Sequence, residues 1–214
     1  MRRFMLACCA LLVLAGCQSA YYSAMEKAGI HKRDILVDRV EDGRDSQQEA
    51  KQQFKDALER YRSVVEVGGG DLEKRYDALS REYEGSVASA RDVRVRIEEI
   101  EDVADALFEE WDSELKQYSN ASLKATSAKE LARTRAEYRT LIQRMKAAEQ
   151  RIEPVLSVLR DQVLFLKHNL NARAISALHG EYRTLQGNVD QLMADMQRAI
   201  DEADTFVRRL QAEG

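Results

Sequence analysis

The sequence predicts an all-α fold: an elongated, antiparallel, coiled-coil-like bundle of about four long helices. Three observations predict it. Charged residues make up 33% of the 214-residue chain, which has 10 glycines and one proline, a composition that suits long helices better than loops or disorder. Apolar residues recur at spacings of four and three through almost all of the chain after residue 30. Short glycine-rich or polar breaks divide that pattern into four runs, and short connections favour antiparallel neighbours.

The first residues follow another rule. Arg2 and Arg3 precede an apolar run from Phe4 to Leu14, and Leu14-Ala15-Gly16-Cys17 closes it. The run is too short to span a bilayer, which takes about 20 residues, but it suits a secretory signal with a small-residue cleavage site. Leu-Ala-Gly-Cys matches the bacterial lipobox, so residues 1–16 are expected to be removed and Cys17 to carry lipid. Cys8 and Cys9 leave with the signal, and Cys17 is then the one remaining cysteine, which leaves no disulfide. Gln18 and Ser19 follow. Without an aspartate after the anchor, the expected address is the outer membrane, with the body in the periplasm.

Residues 17–30 read as an anchor and short linker or helix, and 31–214 as the bundle. Tyr21 to Gly29 spans one or two turns, with Gly29 as a C-cap. The first long helix runs from about His31 to Val67. Its rows are Leu36, Gly43, Ala50, Ala57, Val64 and Val40, Gln47, Phe54, Tyr61. The seam is thin at Gly43 and Gln47, so three helices with a loosely docked first one is the runner-up. Gly68-Gly69-Gly70 stops this helix, and Asp71 caps the next. The second helix, to about Tyr118, carries Leu72, Leu79, Ser86, Val93, Ile100, Leu107 and Tyr76, Tyr83, Ala90, Ile97, Ala104, Trp111, Tyr118.

Ser119 to Thr126 is polar and aperiodic and reads as a loop. Ser127 and Glu130 then fit a capping box. The third helix carries Leu131, Tyr138, Met145, Ile152, Leu159 and Leu166 at sevens, flanked by Leu141, Ala148 and Val155. Pro154 lies inside it and predicts a kink, because the rows continue past it. A turn at His168 to Asn171 leads to the last helix, with Leu178, Leu185, Leu192, Ala199, Phe206 and Tyr182, Val189, Met196, Ala203, Leu210. The topology puts the anchor, His31 and the 119–126 connection at one end. Gly68 to Gly70 and the His168 to Asn171 turn fall at the other.

Sites for chemistry fail simple tests. His31, His168 and His179 lack metal-site spacing, so no metal or other cofactor is expected. The acidic runs suit solvated helix faces, and a narrow core gives no pocket to split two carboxylate pKa values. Gly68 to Lys74 lacks the phosphate-loop pattern, and no catalytic residue is assigned. The charge is −4, or −6 once Arg2 and Arg3 are removed, which argues against nucleic acid as a partner. The expected partners are a membrane, through the anchor, and an envelope protein. Self-association through helix faces is a further expectation, since heptads favour dimers. Candidate contacts are Lys27, His31, Lys32 and Arg33 beside the membrane, and His168, Asn169 and Asn171 at the far tip.

Two stretches carry a family resemblance. Tyr21 to Val40 reads YYSAMEKAGIHKRDILVDRV, and Phe165 to Ile175 reads FLKHNLNARAI. Both resemble a proteobacterial lipoprotein family of unknown function (DUF2959-type). The resemblance covers essentially the whole mature chain. It implies a helical exported protein and no established activity. Members are sometimes labelled DNA-repair ATPases, but this sequence lacks the phosphate loop, basic charge and cytoplasmic address that such an activity needs. The expected function is a structural or interaction module of the cell envelope. The alternative is a carrier or chaperone for lipid or another apolar ligand, opening at the thin seam. An enzyme is the least favoured reading.

Overall fold

A computed structural model describes residues 21–22, 24–66, 71–169 and 171–212, with the side chains of 172–174 left out. The signal stretch, Cys17 and Gly68 to Gly70 lie outside the described residues. Four long helices follow one another: α1 (Lys32–Glu66), α2 (Leu72–Leu115), α3 (Ala121–His168) and α4 (Ala172–Ala212). α1 packs against α2 and α4, and α3 packs against the same two. This is a square, up-down-up-down bundle in which every packed pair is antiparallel. At 1.5 Å per residue, the 48 residues of α3 extend about 70 Å.

The heptad rows form the core. Leu36, Val40, Phe54, Tyr61, Ile100, Leu141, Met145, Leu185, Leu192 and Met196 are fully buried. Each such large apolar side chain stabilises the fold by about 1.5–3 kcal/mol relative to exposure. α1 is therefore firmly docked, and the three-helix alternative falls. The seam is also wider than two rows. Ile35, Val65, Val103, Phe108, Ile142, Leu156, Val163, Ile200 and Val207 are buried beside it, because a helix touching two neighbours must cover a broader stripe than a coiled-coil strand.

The weak stretch of α1 is closed. Gly43 is buried, and a Cβ built there would meet Ile100 Cδ1 at 2.7 Å and Met145 Cε at 3.5 Å. The isoleucine tip occupies the space that a larger residue would take. One turn later Gln47 is 1% exposed, and neither side-chain amide atom has a hydrogen-bond partner.

Three boundaries correct the sequence expectations. Of the 119–126 stretch only 119–120 belongs to a loop, and 121–126 is helix: Asn120 caps α3, accepting from the backbone N–H groups of Ser122 (2.9 Å) and Leu123 (3.1 Å). Ser127 and Glu130 are consequently interior helix residues and form no capping box. α2 ends at Leu115, so Tyr118 lies past its end, exposed instead of on the seam. Asp71 caps α2 as expected, accepting from Glu73 and Lys74. α3 continues through Pro154, which sits on the exposed face.

Candidate functional site

The bundle has two distinct ends, and its ion pairs set their levels. At the first end, Gly29 takes φ 83°. Its N–H donates to Glu26 O (2.9 Å), and the N–H of Ile30 donates to Met25 O (3.0 Å). This pair of bonds is the Schellman stop, as expected of Gly29. The reversal folds the preceding turn back on the bundle. Tyr22 is buried, Met25 packs on the core, and Tyr21 borders a depression with Ile35, Asp38 and Asp42.

Lys32 holds this reversal. It pairs with Glu26 and with Glu110 (3.0 Å), and its ammonium lies 5.8 Å from the Tyr22 ring centre. Burial alone would lower the lysine pKa, but the hydrogen bonds to the two carboxylates outweigh it, and the net direction is up. Glu26 is held below the usual carboxylate range by the bond from Lys32, whereas burial pushes Glu110 above it. Arg33 donates to the carbonyl of Leu210. Two of the four candidate membrane contacts, Lys32 and Arg33, are thus used inside the fold. Lys27 and His31 are exposed.

The same contacts show where α1 and α4 end. Lys32 is level with Glu110, Arg209 pairs with Glu137, and Arg135 bonds Asp112 at 2.6 Å. Beyond that level only α2 and α3 continue, joined at residues 116–120. α2 runs only three residues past Asp112, to Leu115, whereas Arg135 back to Ala121 is about 20 Å of helix, so the start of α3 projects past the main shaft together with the 116–120 connection that closes the α2–α3 hairpin. Its neck is fixed. Trp111 Nε1 donates to Ser127 Oγ at 2.8 Å, and the Arg135 guanidinium lies 5.2 Å from the Phe108 ring centre. At its tip, Tyr118 is 41% and Leu123 58% exposed. The sequence reading missed this feature because Leu123 fell in a stretch taken for a loop.

At the opposite end, His168 is exposed. Asn169 donates from Nδ2 to Phe165 O (2.9 Å), and the Asn171 N–H donates to Asn169 O (2.8 Å). The asparagines shape the turn. The surface there is apolar: Leu164 and Phe165 are both largely exposed. A sequence signal existed, since only Val163 and Leu166 of the run 163–166 fit the seam.

No group of three or more His, Cys, Asp or Glu side chains among the described residues is placed to hold a metal. Depressions of about 420 and 430 Å³ are open and mostly charged, bordered by Asp38, Asp42 and Asp45 in one case and by Asp56, Glu59 and Arg60 in the other. The seam at Gly43, where the ligand-carrier reading places an opening, is filled by Ile100 and Met145. No helix among the described residues is long and apolar enough to cross a membrane.

The family model described as "Protein of unknown function (DUF2959)" matches residues 21–210. The chain belongs to this family. The match runs from the docked turn through α1 to α4, so the whole described bundle is the family's unit. No curated protein and no solved structure matches the chain. Membership therefore brings a fold-length unit and no activity.

Proposed function

We propose that this protein is a lipid-anchored helical module of the cell envelope, held at the outer membrane and facing the periplasm. One observation carries the reading: Arg2-Arg3, the apolar run Phe4 to Leu14, and Leu14-Ala15-Gly16-Cys17 stand in the order a lipoprotein signal requires. The bundle then begins four residues after Cys17, which leaves little linker. A closed apolar core with charged, shallow surface depressions supports a role through surfaces over one through an internal ligand or a reaction centre. Acyl chains on Cys17 supply the attachment, at about 0.8 kcal/mol per buried CH₂.

The distal turn is the candidate partner surface. His168, Asn169 and Asn171 lie beside exposed Leu164 and Phe165, and aromatic and aliphatic anchors with a polar rim are what protein interfaces use. The heptad rows are buried within the chain, so self-association would use outer faces.

Fractionation tests the anchor. The wild-type chain should sediment with outer membranes, and Cys17→Ser should be released as soluble protein. A Cys17→Ser chain that stays membrane-bound to the same extent overturns it. Photo-crosslinkers at Leu164, Phe165 and His168 in living cells should trap one discrete envelope protein. Capture of bulk protein only, equal to that from a mid-shaft position such as Val95, sinks the distal-partner reading.

A further inference from the structure

We propose that the tip of the α2–α3 hairpin is a second membrane contact, a foot that rests on anionic lipid headgroups. Its choice of surface rests on the lipid-anchor reading, but its test does not. Three observations lead to it. First, the hairpin projects beyond α1 and α4, so its tip stands clear of the shaft. Second, the tip exposes two large apolar side chains, Tyr118 and Leu123. Third, the charge pattern inverts there. No acidic residue lies between Glu114 and Glu130, whereas Lys116, Lys124 and Lys129 do, and all three lysines are exposed. The rest of the chain is acidic on balance.

A tyrosine, a leucine and nearby lysines are the side chains that settle at a headgroup boundary; Lys116 and Lys124 lie on the tip side of the Trp111–Ser127 neck and Lys129 just behind it. The acidic shaft would be repelled by the same surface, which orients the molecule tip-down. The distal end differs. It too has an acid-free stretch, with Lys167 and Arg173, but acids and bases are mixed at that end: Glu66, Asp71 and Glu73 lie there with Lys74 and Arg75, and Lys74 pairs with Asp71.

The geometry joins foot and anchor. Tyr21 lies beside Asp38, about 10 Å up the shaft from Lys32. Three residues separate it from Cys17, and the four steps between them span at most about 14 Å of extended chain. Anchor and foot therefore reach one bilayer with the bundle inclined to it, not upright.

The test uses the mature chain with Cys17→Ser, whose core closes within residues 21–212 and which carries no acyl group. It is sedimented with vesicles of phosphatidylglycerol and phosphatidylcholine, or of phosphatidylcholine alone. The expected result is binding to the anionic vesicles that weakens with salt. Joint Lys116→Glu, Lys124→Glu and Lys129→Glu should cut it by at least about tenfold, and Leu123→Asp should weaken it further. Lys167→Glu, the distal control, should leave it unchanged. Circular dichroism checks each variant, and the Lys→Gln triple substitutes for any that fails to fold. No preference for anionic vesicles, or loss with Lys167→Glu in place of the tip variants, overturns the proposal. Because acylation is absent from this assay, such a failure leaves the anchor reading standing, and a failed anchor leaves this result readable.

Discussion

At the scale of single residues, the centre of α1 is a compromise between packing and polarity. Gln47 is buried with both amide atoms unpartnered, which costs about 1–3 kcal/mol of desolvation. Met has nearly the same shape and no such cost. Gln47→Met should therefore raise stability by about 1–2 kcal/mol, read as a higher urea midpoint at constant slope. An unchanged or lower midpoint would show that the amide has a partner after all. Gly43 makes a second case. Alanine there gains helix propensity but collides with Ile100 Cδ1 at 2.7 Å. Ile100→Val removes that carbon. The two substitutions should be coupled by about 1 kcal/mol in a double-mutant cycle, the pair being more stable than the singles sum to. These positions also mark what the sequence could show. The heptad rows were legible because burial follows spacing. The thin seam was legible as a gap, but its filling by an isoleucine from α2 was not, because that depends on how neighbouring helices meet.

At the scale of elements, the hairpin's boundary carries the argument. The α3 start was misplaced by sequence reading because Ser127 and Glu130 imitate a cap, whereas Asn120 performs it. Asn120→Ala should lower stability by about 1 kcal/mol, and Ser127→Ala should instead be felt through Trp111, as a shift in its fluorescence. If Ser127→Ala costs the larger cap energy and Asn120→Ala nothing, α3 begins where the sequence suggested. Acid offers a second check. Arg135 holds Asp112 below the ordinary aspartate value of 3.8 by a hydrogen bond, and bonds to Lys74 hold Asp71 below it too. A folded-state pKa below the unfolded one gives stability that is present above 3.8 and lost as pH falls through the folded value. The melting temperature should fall across that window. Asp112→Asn should make the fall shallower, and an identical slope would mean that the pair contributes nothing to it.

At the scale of the whole molecule, the account is of a shaft with unlike ends: a docked N-terminal turn and projecting hairpin at one, an apolar turn at the other. Fold class, helix order and antiparallel topology were legible from composition, periodicity and breaks. The exposed residues that distinguish the ends were less so: Leu164 and Phe165 stood off the seam and could have been found by spacing, whereas Leu123 declares itself only once the core is seen to exclude it. The role proposed for this shaft begins with Cys17. Intact mass spectrometry of the protein purified from membranes tests that most directly. The account predicts a chain starting at Cys17 that carries added fatty-acyl mass. A chain that keeps residues 1–16, or one that starts elsewhere without lipid, would contradict it.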